Sequence, residues 1–383
     1  MPIIPFEFVI FTATLIGVAI FHHHNVRIAI GGLITVVLYK LLFAQDVDLL
    51  GHFGHEWRLV ANLLGLLVGF EILADHFRQS RLAERVPAIL PDDWKGGFVL
   101  LFIVWAMSGF LDNIAAAMIG ASIATVVYKG EVTVGYLAGI VAASNAGGAG
   151  SVIGDTTTTM MWIDGVSWVD VTHAYLPSFV ALLVFGVPLS IWQDRRHRIT
   201  KDASEKRPID FGSLAVVALI LVGTVSTNIL LDFPAVGVWI AIIGTMWYRN
   251  PNWHHVPKAT KGAVFLLSLV LAASLMPVKS LPPASPSMVF ALGFVSSVFD
   301  NIPLTKLALD QGGYDWGWLA YAVGFGGSMM WFGSSAGVAV SNDHPRIRNT
   351  AVFLRESWII PIAYMVGFLS LFLIGWAPHD PHV

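Results

Sequence analysis

The chain contains no cysteine. Disulfides, thiolate metal centres and cysteine nucleophiles are thereby excluded, and nothing more about compartment follows. Charge is also scarce: Asp, Glu, Lys and Arg make up 12% of 383 residues, against about a quarter in ordinary soluble domains. No Walker loop and no zincin His-Glu-x-x-His pattern occurs, and no feature argues for chemistry on a covalent substrate. The expectation is therefore a protein that is not an enzyme, that needs no cofactor and binds no nucleic acid, and that draws its energy from an ion gradient.

What is present is apolar. Hydrophobic residues reach 56%, and long runs recur at Phe6–Phe21, Ile28–Phe43, Leu59–Leu73, Leu214–Leu231 and Val352–Trp376. Each approaches the roughly 20 residues that a bilayer core requires of a helix. The chain reads as an all-α polytopic membrane protein whose partner is the lipid bilayer. The opening run has no basic leader and no small-residue cleavage site, which predicts a retained first helix. The fourteen tryptophans suit interfacial belts.

Basic residues set the topology, because they accumulate in short cytoplasmic loops. Four loops carry them: Arg78, Arg81, Arg85 and Lys95; Arg195 to Arg207; Arg249, Lys258 and Lys261; Arg346 and Arg348. With these on one face, two apolar pairs fit badly as full crossings. The arms Gly96–Leu111 and Ala115–Tyr128 would run only about 24 and 21 Å as helices. They fit as a re-entrant hairpin over 96–128 with Asp112-Asn113 at its tip, and 287–309 fits a second hairpin with Asp300-Asn301 at its centre. About ten crossings and two hairpins of opposite orientation then satisfy the charge pattern.

The hairpins belong to an internal repeat. "FLDNIAAAM" recurs as "VFDNIPLTK" 188 residues later. Downstream, "GGAGSVIGDTTTT" from Gly147 matches "GGSMMWFGSSAGV" from Gly326, and Pro177 and Pro361 each open a closing helix. Glycine-rich breaks at membrane depth survive only where they are buried in protein or line a wet cavity. Such inverted repeats characterise secondary transporters, with sites where broken helices meet. The predicted division is N-terminal scaffold helices over 1–56, repeat 1 over 57–192 with a broken helix at 136–162, a cytoplasmic linker over 193–211, further scaffold helices over 212–257, and repeat 2 over 258–376 with a broken helix at 318–340. The two tips and two breaks nominate Asp112, Asn113, Asn145, Gly148, Asp155, Thr156, Thr157, Asp300, Asn301, Gly327, Ser328, Ser334 and Ser335 as ion-binding candidates.

In "LDNIAAA", "SNAGGAGSVIGDTTTTMMW", "DNIPL" and "GGSMMWFGSSAGVA" the chain resembles the ion transporter superfamily, most closely the NhaD-type sodium/proton antiporters, over roughly Glu56–Trp376. The resemblance implies an elevator-like fold with scaffold and transport domains, a homodimer in the bacterial inner membrane, and exchange of Na+ or Li+ for H+. Asp112, Asn113, Asp155, Asp300 and Asn301 are the expected Na+ ligands. Lys306 stands where an apolar residue is usual. Sodium-coupled citrate and dicarboxylate carriers of the same superfamily are the alternative, but two tip aspartates would repel such an anion in a medium of low dielectric. A desolvated carboxylate also holds protons more tightly, which suits proton coupling.

Simpler readings stand beside these. Asp112, Asp300 and Asp155 can cap helices, bind ions, or do both. Glu71 is either a proton-pathway residue or a surface carboxylate, and Asp75 reads as the latter. Lys306 can pair with Asp300 or, at helical i,i+4 spacing, with Asp310. Lys40 reads as a snorkelling stem. His22–His24 invite a metal or pH-sensor reading against that of a polar loop. Asn228 is expected to bond a neighbouring helix.

Overall fold

The structure is a computed structural model that describes residues 5–21, 24–43, 48–200 and 208–381. Nineteen α-helices follow in chain order among the described residues. They are α1 (Phe6–Ile20), α2 (Asn25–Phe43), α3 (Leu49–Gln79), α4 (Val86–Ile89), α5 (Trp94–Met107), α6 (Asn113–Val127), α7 (Val134–Ala149), α8 (Thr156–Ile163), α9 (Trp168–Thr172), α10 (Tyr175–Arg196), α11 (Phe211–Leu231), α12 (Pro234–Thr245), α13 (Val256–Ser274), α14 (Pro286–Ser296), α15 (Asn301–Gln311), α16 (Trp316–Gly326), α17 (Ser335–Asp343), α18 (Thr350–Ser357) and α19 (Ile359–Ser370). No strand occurs among the described residues beyond one isolated bridge between Tyr314 and His379.

Local chemistry explains where many helices begin. Asp48, Asp93, Asp112, Asp155, Asp210, Asp300 and Asp315 each accept a backbone N–H of the helix they precede, as do Thr133, Ser285, Ser334 and Asn349. Each cap satisfies a donor that the first turn leaves orphaned. In so apolar a chain these polar residues are the punctuation.

Five stretches are long and apolar enough to cross a membrane: Asn25–Phe43, Leu49–Gln79, Trp168–Arg196, Phe211–Leu231 and Trp253–Ser274. A sixth forms if α18 and α19 with its following turn, bent by 51°, make one span. The chain is a multi-pass membrane protein. The bend lies just before Pro361, so that proline sits inside a kinked span, whereas Pro177 opens α10 as expected. The helix expected at Leu59–Leu73 extends over the 31 residues of α3.

Packing forms two groups. Phe11 and Leu15 of α1, Ala29 and Val36 of α2, and Phe265, Leu269, Ala272 and Ala273 of α13 make one apolar cluster. The larger cluster draws on every helix from α3 to α19, α13 and α15 included. Close backbone approach fastens α11 to α12, because a Cβ on Gly237 would strike the Gly223 carbonyl.

Both halves repeat one packing scheme. A Cβ on Gly147 would strike the Trp105 carbonyl of α5, and one on Gly326 would strike the Gly293 carbonyl of α14. The glycine-rich ends of α7 and α16 are thus pressed against α5 and α14, the helices that precede Asp112-Asn113 and Asp300-Asn301. The following arms cross over: α6 packs against α17, and α15 against α8.

Several expectations are corrected. Asp75 is buried, paired with Arg78 at 3.5 Å and His255 at 3.5 Å and accepting from Gln79 at 2.6 Å, so it is not a surface carboxylate. Asn228 makes no side-chain hydrogen bond among the described residues; its neighbour Thr227 holds α12, accepting from Gly237 N at 3.0 Å. Trp316 and Trp318 are fully buried in ring clusters, unlike Trp247, which is 93% exposed. His22, His23, Lys201, Lys206 and Arg207 lie outside the described residues.

Candidate functional site

The two tips adopt one geometry. Asp112 has φ −52°, ψ 142° and accepts from Ile114 N at 3.2 Å; Asp300 has φ −54°, ψ 137° and accepts from Ile302 N at 3.0 Å. The breaks match in the same way. Asp155 (φ −141°, ψ 140°) caps α8 through Thr157 N at 3.3 Å, and Ser334 (φ −138°, ψ 152°) caps α17 through Gly337 N at 3.2 Å. Gly148 and Gly327 make these returns possible. A Cβ on Gly148 would lie 2.7 Å from the Gly154 carbonyl, and one on Gly327 would lie 2.8 Å from the Gly333 carbonyl.

These elements enclose a cavity of about 420 Å³ between α3, α6, α8, α13, α15 and α17. Asp112, Asn113, Asp155, Thr156, Asp300, Asn301, Ser334 and Ser335 all line it, and so does Glu71. The remaining candidates do not reach it. Asn145 and Ser328 are buried behind the lining, Thr157 packs inside the protein, and Gly148 and Gly327 contribute backbone shape.

Amides and hydroxyls tie the lining together. Asn113 Nδ2 donates to Asn145 Oδ1 at 3.2 Å, and Asn145 Nδ2 donates to Ser328 Oγ and Ser334 Oγ, both at 2.9 Å. In the other half Asn301 Nδ2 reaches Asp155 Oδ2 at 3.5 Å, and Ser335 Oγ donates to Asp300 Oδ2 at 3.3 Å. Among the described residues no Lys, Arg or His lies within 4.0 Å of the carboxylates of Asp112, Asp155 or Asp300. Lys306 points away, to Asp310 at 2.8 Å and Glu56 at 3.0 Å. The i,i+4 reading of Lys306 holds, and its pairing with Asp300 does not. A carboxylate at membrane depth without a basic partner is expensive unless it is protonated or binds a cation.

Sequence reasoning missed Lys258 and Asn342, which line the same cavity with the partly exposed Glu71. The signal for Lys258 was its helical register: Lys258, Gly262 and Leu266 recur at i, i+4 and i+8 along one face of α13. Glu71 accepts from Arg78 at 3.1 Å and lies 4.0 Å from His255. One further pattern, Gly333-x-Ser335-x-Gly337, has the spacing of a hydrolase nucleophile elbow. It sits between two helices, and its serine donates to Asp300, so the strand-to-helix setting of that motif is missing. No group of three or more His, Asp or Glu able to hold a metal ion occurs among the described residues, so an ion here would rely on amide, hydroxyl and carbonyl oxygens as well.

The two Asp-Asn turns, the two glycine-rich turns and three carboxylates with no basic partner within 4.0 Å among the described residues thus meet at one cavity of a multi-pass helical protein. No family model matches the chain. It is 30% identical over 332 residues to sodium/proton antiporter 1 of Arabidopsis thaliana, covering 73% of this chain and 56% of that protein. It is 27% identical to sodium/proton antiporter 2 of the same plant, covering 73% and 77%. Against the Na(+)/H(+) antiporter NhaD of Alkalimonas amylolytica it is 25% identical, covering 75% and 69%. The chain is thus a homologue of sodium/proton antiporters, as its motifs imply, and it spans about half the length of the first of these relatives.

Proposed function

We propose that the protein exchanges Na+ or Li+ for H+ by alternating access. The observation that carries this reading is that Asp112, Asp155 and Asp300 line one cavity with no basic partner among the described residues. Their charge is compensated either by a proton or by a cation, and the same oxygens serve both. Asn113, Asn301, Thr156, Ser334 and Ser335 supply neutral oxygens for a partly dehydrated monovalent ion. Glu71, at the exposed end of the cavity, delivers or removes protons there. The names of the relatives support the same ions.

The finer architecture belongs to this proposal. α5–α6 and α14–α15 are re-entrant hairpins, and α7–α8 and α16–α17 are broken crossings. With α1, α2, α3, α10, α11, α12, α13 and the bent α18–α19 pair, these make ten crossings. The hairpins and broken helices form the moving body of an elevator, set against scaffold helices that include 1–56 and 212–257, and the linker 193–211 is cytoplasmic. The exposed apolar faces of α11 and α12 suit lipid and a homodimer contact, and the bacterial inner membrane suits the basic-loop pattern.

A sodium-coupled citrate or dicarboxylate carrier fits less well, because the only basic side chain lining the cavity among the described residues is Lys258 near its exposed end. The deciding experiment uses purified protein in liposomes with an imposed pH gradient and a pH dye. Proton movement triggered by Na+ or Li+ without an organic acid is the expected outcome. Silence toward every cation, with Na+-dependent uptake of labelled citrate or succinate, would establish the other carrier type.

A further inference from the structure

A second cavity of about 460 Å³ shares no lining residue with the first. Its walls include Glu56, Arg58, Asn62, Asp164, Lys306 and Asp310. Three helices pass from one cavity to the other. Along α3, Glu56, Leu59 and Asn62 face the second cavity, and Leu63, Leu66, Phe70 and Glu71 face the first. Along α15, Asp300, Asn301 and Ile302 face the first, and Lys306, Leu309 and Asp310 the second. Along α8, Thr156 and Thr159 face the first, and Ile163 and the following Asp164 the second. The two cavities are therefore stacked end to end. The first ends at exposed Lys258 and half-exposed Glu71, on the side of the basic loops.

Lys306 lines the second cavity one helical turn beyond Ile302 of the first. Its side chain is 2% exposed, yet it is shared between two carboxylates of different bodies: Asp310, four residues on along its own helix, and Glu56 of α3. If α15 moves relative to α3, Asp310 travels with the ammonium and only the Glu56 contact breaks. The lysine is never left buried without a partner, which is the arrangement that would cost most. The state-dependent element is the 3.0 Å contact to Glu56.

We propose that the second cavity is the opposite-face access route to the same cation site, and that the Lys306–Glu56 pair latches it shut in the state seen here. This rests on the transporter reading above. Aqueous access on both sides of a septum built from the moving hairpin is what alternating access requires, and the carboxylates Glu56, Asp164 and Asp310 favour a cation in that vestibule.

The absence of native cysteine makes the test direct. Ala339→Cys places one thiol in the lining of the first cavity. The full chain in sealed vesicles of known orientation, with no ion gradient, is labelled with a membrane-impermeant maleimide from each face. With Glu56 intact, labelling is expected only from the face that carries Lys258. Glu56→Gln should raise the rate from the opposite face by at least about fivefold, and Glu56→Asp should return it toward the parent value. Lys306→Met in the same background guards against a local effect of the glutamine and should shift labelling in the same direction. If both variants purify as folded protein and keep the parent's one-sided labelling, the latch is wrong. Sidedness is read without transport, so a chain that labels as expected but moves no proton on addition of Na+ overturns the antiport reading and leaves the latch standing.

Discussion

Asn145 donates its amide Nδ2 to Ser334 Oγ at 2.9 Å across 189 residues of chain, and so joins the break of one repeat to the break of the other. The repeat offset at the breaks places Gly324 opposite Asn145 and Asp155 opposite Ser334. The two corners are complementary: a long amide with a short hydroxyl on one side, no side chain with a carboxylate on the other. A Cβ at Gly324 would lie 3.0 Å from Ala149 Cβ and 3.4 Å from Asp155 Oδ2, so the missing side chain chiefly lets α16 approach α7 beside that carboxylate. The two glycine-rich turns thus match in the backbone angles of their capping residues and differ in chemistry, and only one of them carries an acid.

The tip aspartates can be separated from their capping role. Asparagine caps helices about as well as aspartate. Asp112→Asn and Asp300→Asn should therefore purify with thermal stability within a few degrees of the parent while exchange in proteoliposomes falls by at least about a hundredfold, because each removes a titratable ligand. Full exchange with either variant would remove that residue from the site.

Asn145→Ala leaves Ser328, Ser334 and Asn113 without their shared partner in a fully buried setting. The cost should be about 2 kcal/mol. A lower melting temperature in detergent and a raised KM for Na+ are expected together, because the residue holds two lining elements in place. An unchanged KM would confine Asn145 to stability.

Glycine substitutions should divide by what a methyl group meets. In Gly154→Ala the new carbon would strike the Ser108 carbonyl, and backbone cannot yield, so a loss of about 1–3 kcal/mol is expected. Gly244→Ala, in the last turn of α12, meets nothing within 4 Å and should be neutral or slightly stabilising. Thermal unfolding of the two proteins side by side tests the contrast.

At the protein surface, Asp210 receives Arg249 Nη2 at 2.8 Å and the N–H groups of Gly212 and Ser213, which hold its carboxyl down to about 2 with the arginine as the main cause. A depressed acid stabilises the fold fully above its unfolded value near 3.8, and that contribution fades as pH falls toward 2. Asp210→Asn keeps the cap but removes the charge. Its melting temperature should lie below the parent's at pH 6 and converge with it by pH 2. A constant gap across that range would show that the ion pair contributes nothing.

The sequence by itself determined the helical membrane class and the doubled Asp-Asn and Gly-Gly motifs. Apolar run length, scarcity of charge and glycine at membrane depth are one-dimensional signals, because the bilayer imposes them on every segment separately. It also reached the i,i+4 partner of Lys306, since helix geometry alone sets that distance. Tertiary structure decided what depends on two segments meeting. Asn145 became a bridge because α7 passes behind both breaks, and Asp75 gained His255 as a partner from 180 residues away. Glu56 acquired a partner because the Lys306 side chain reaches it from α15, 250 residues further along the chain. Hydrogen bonds and ion pairs reach only about 3 Å, so which residues form them is set by how the helices pack. No spacing along one chain encodes that distance.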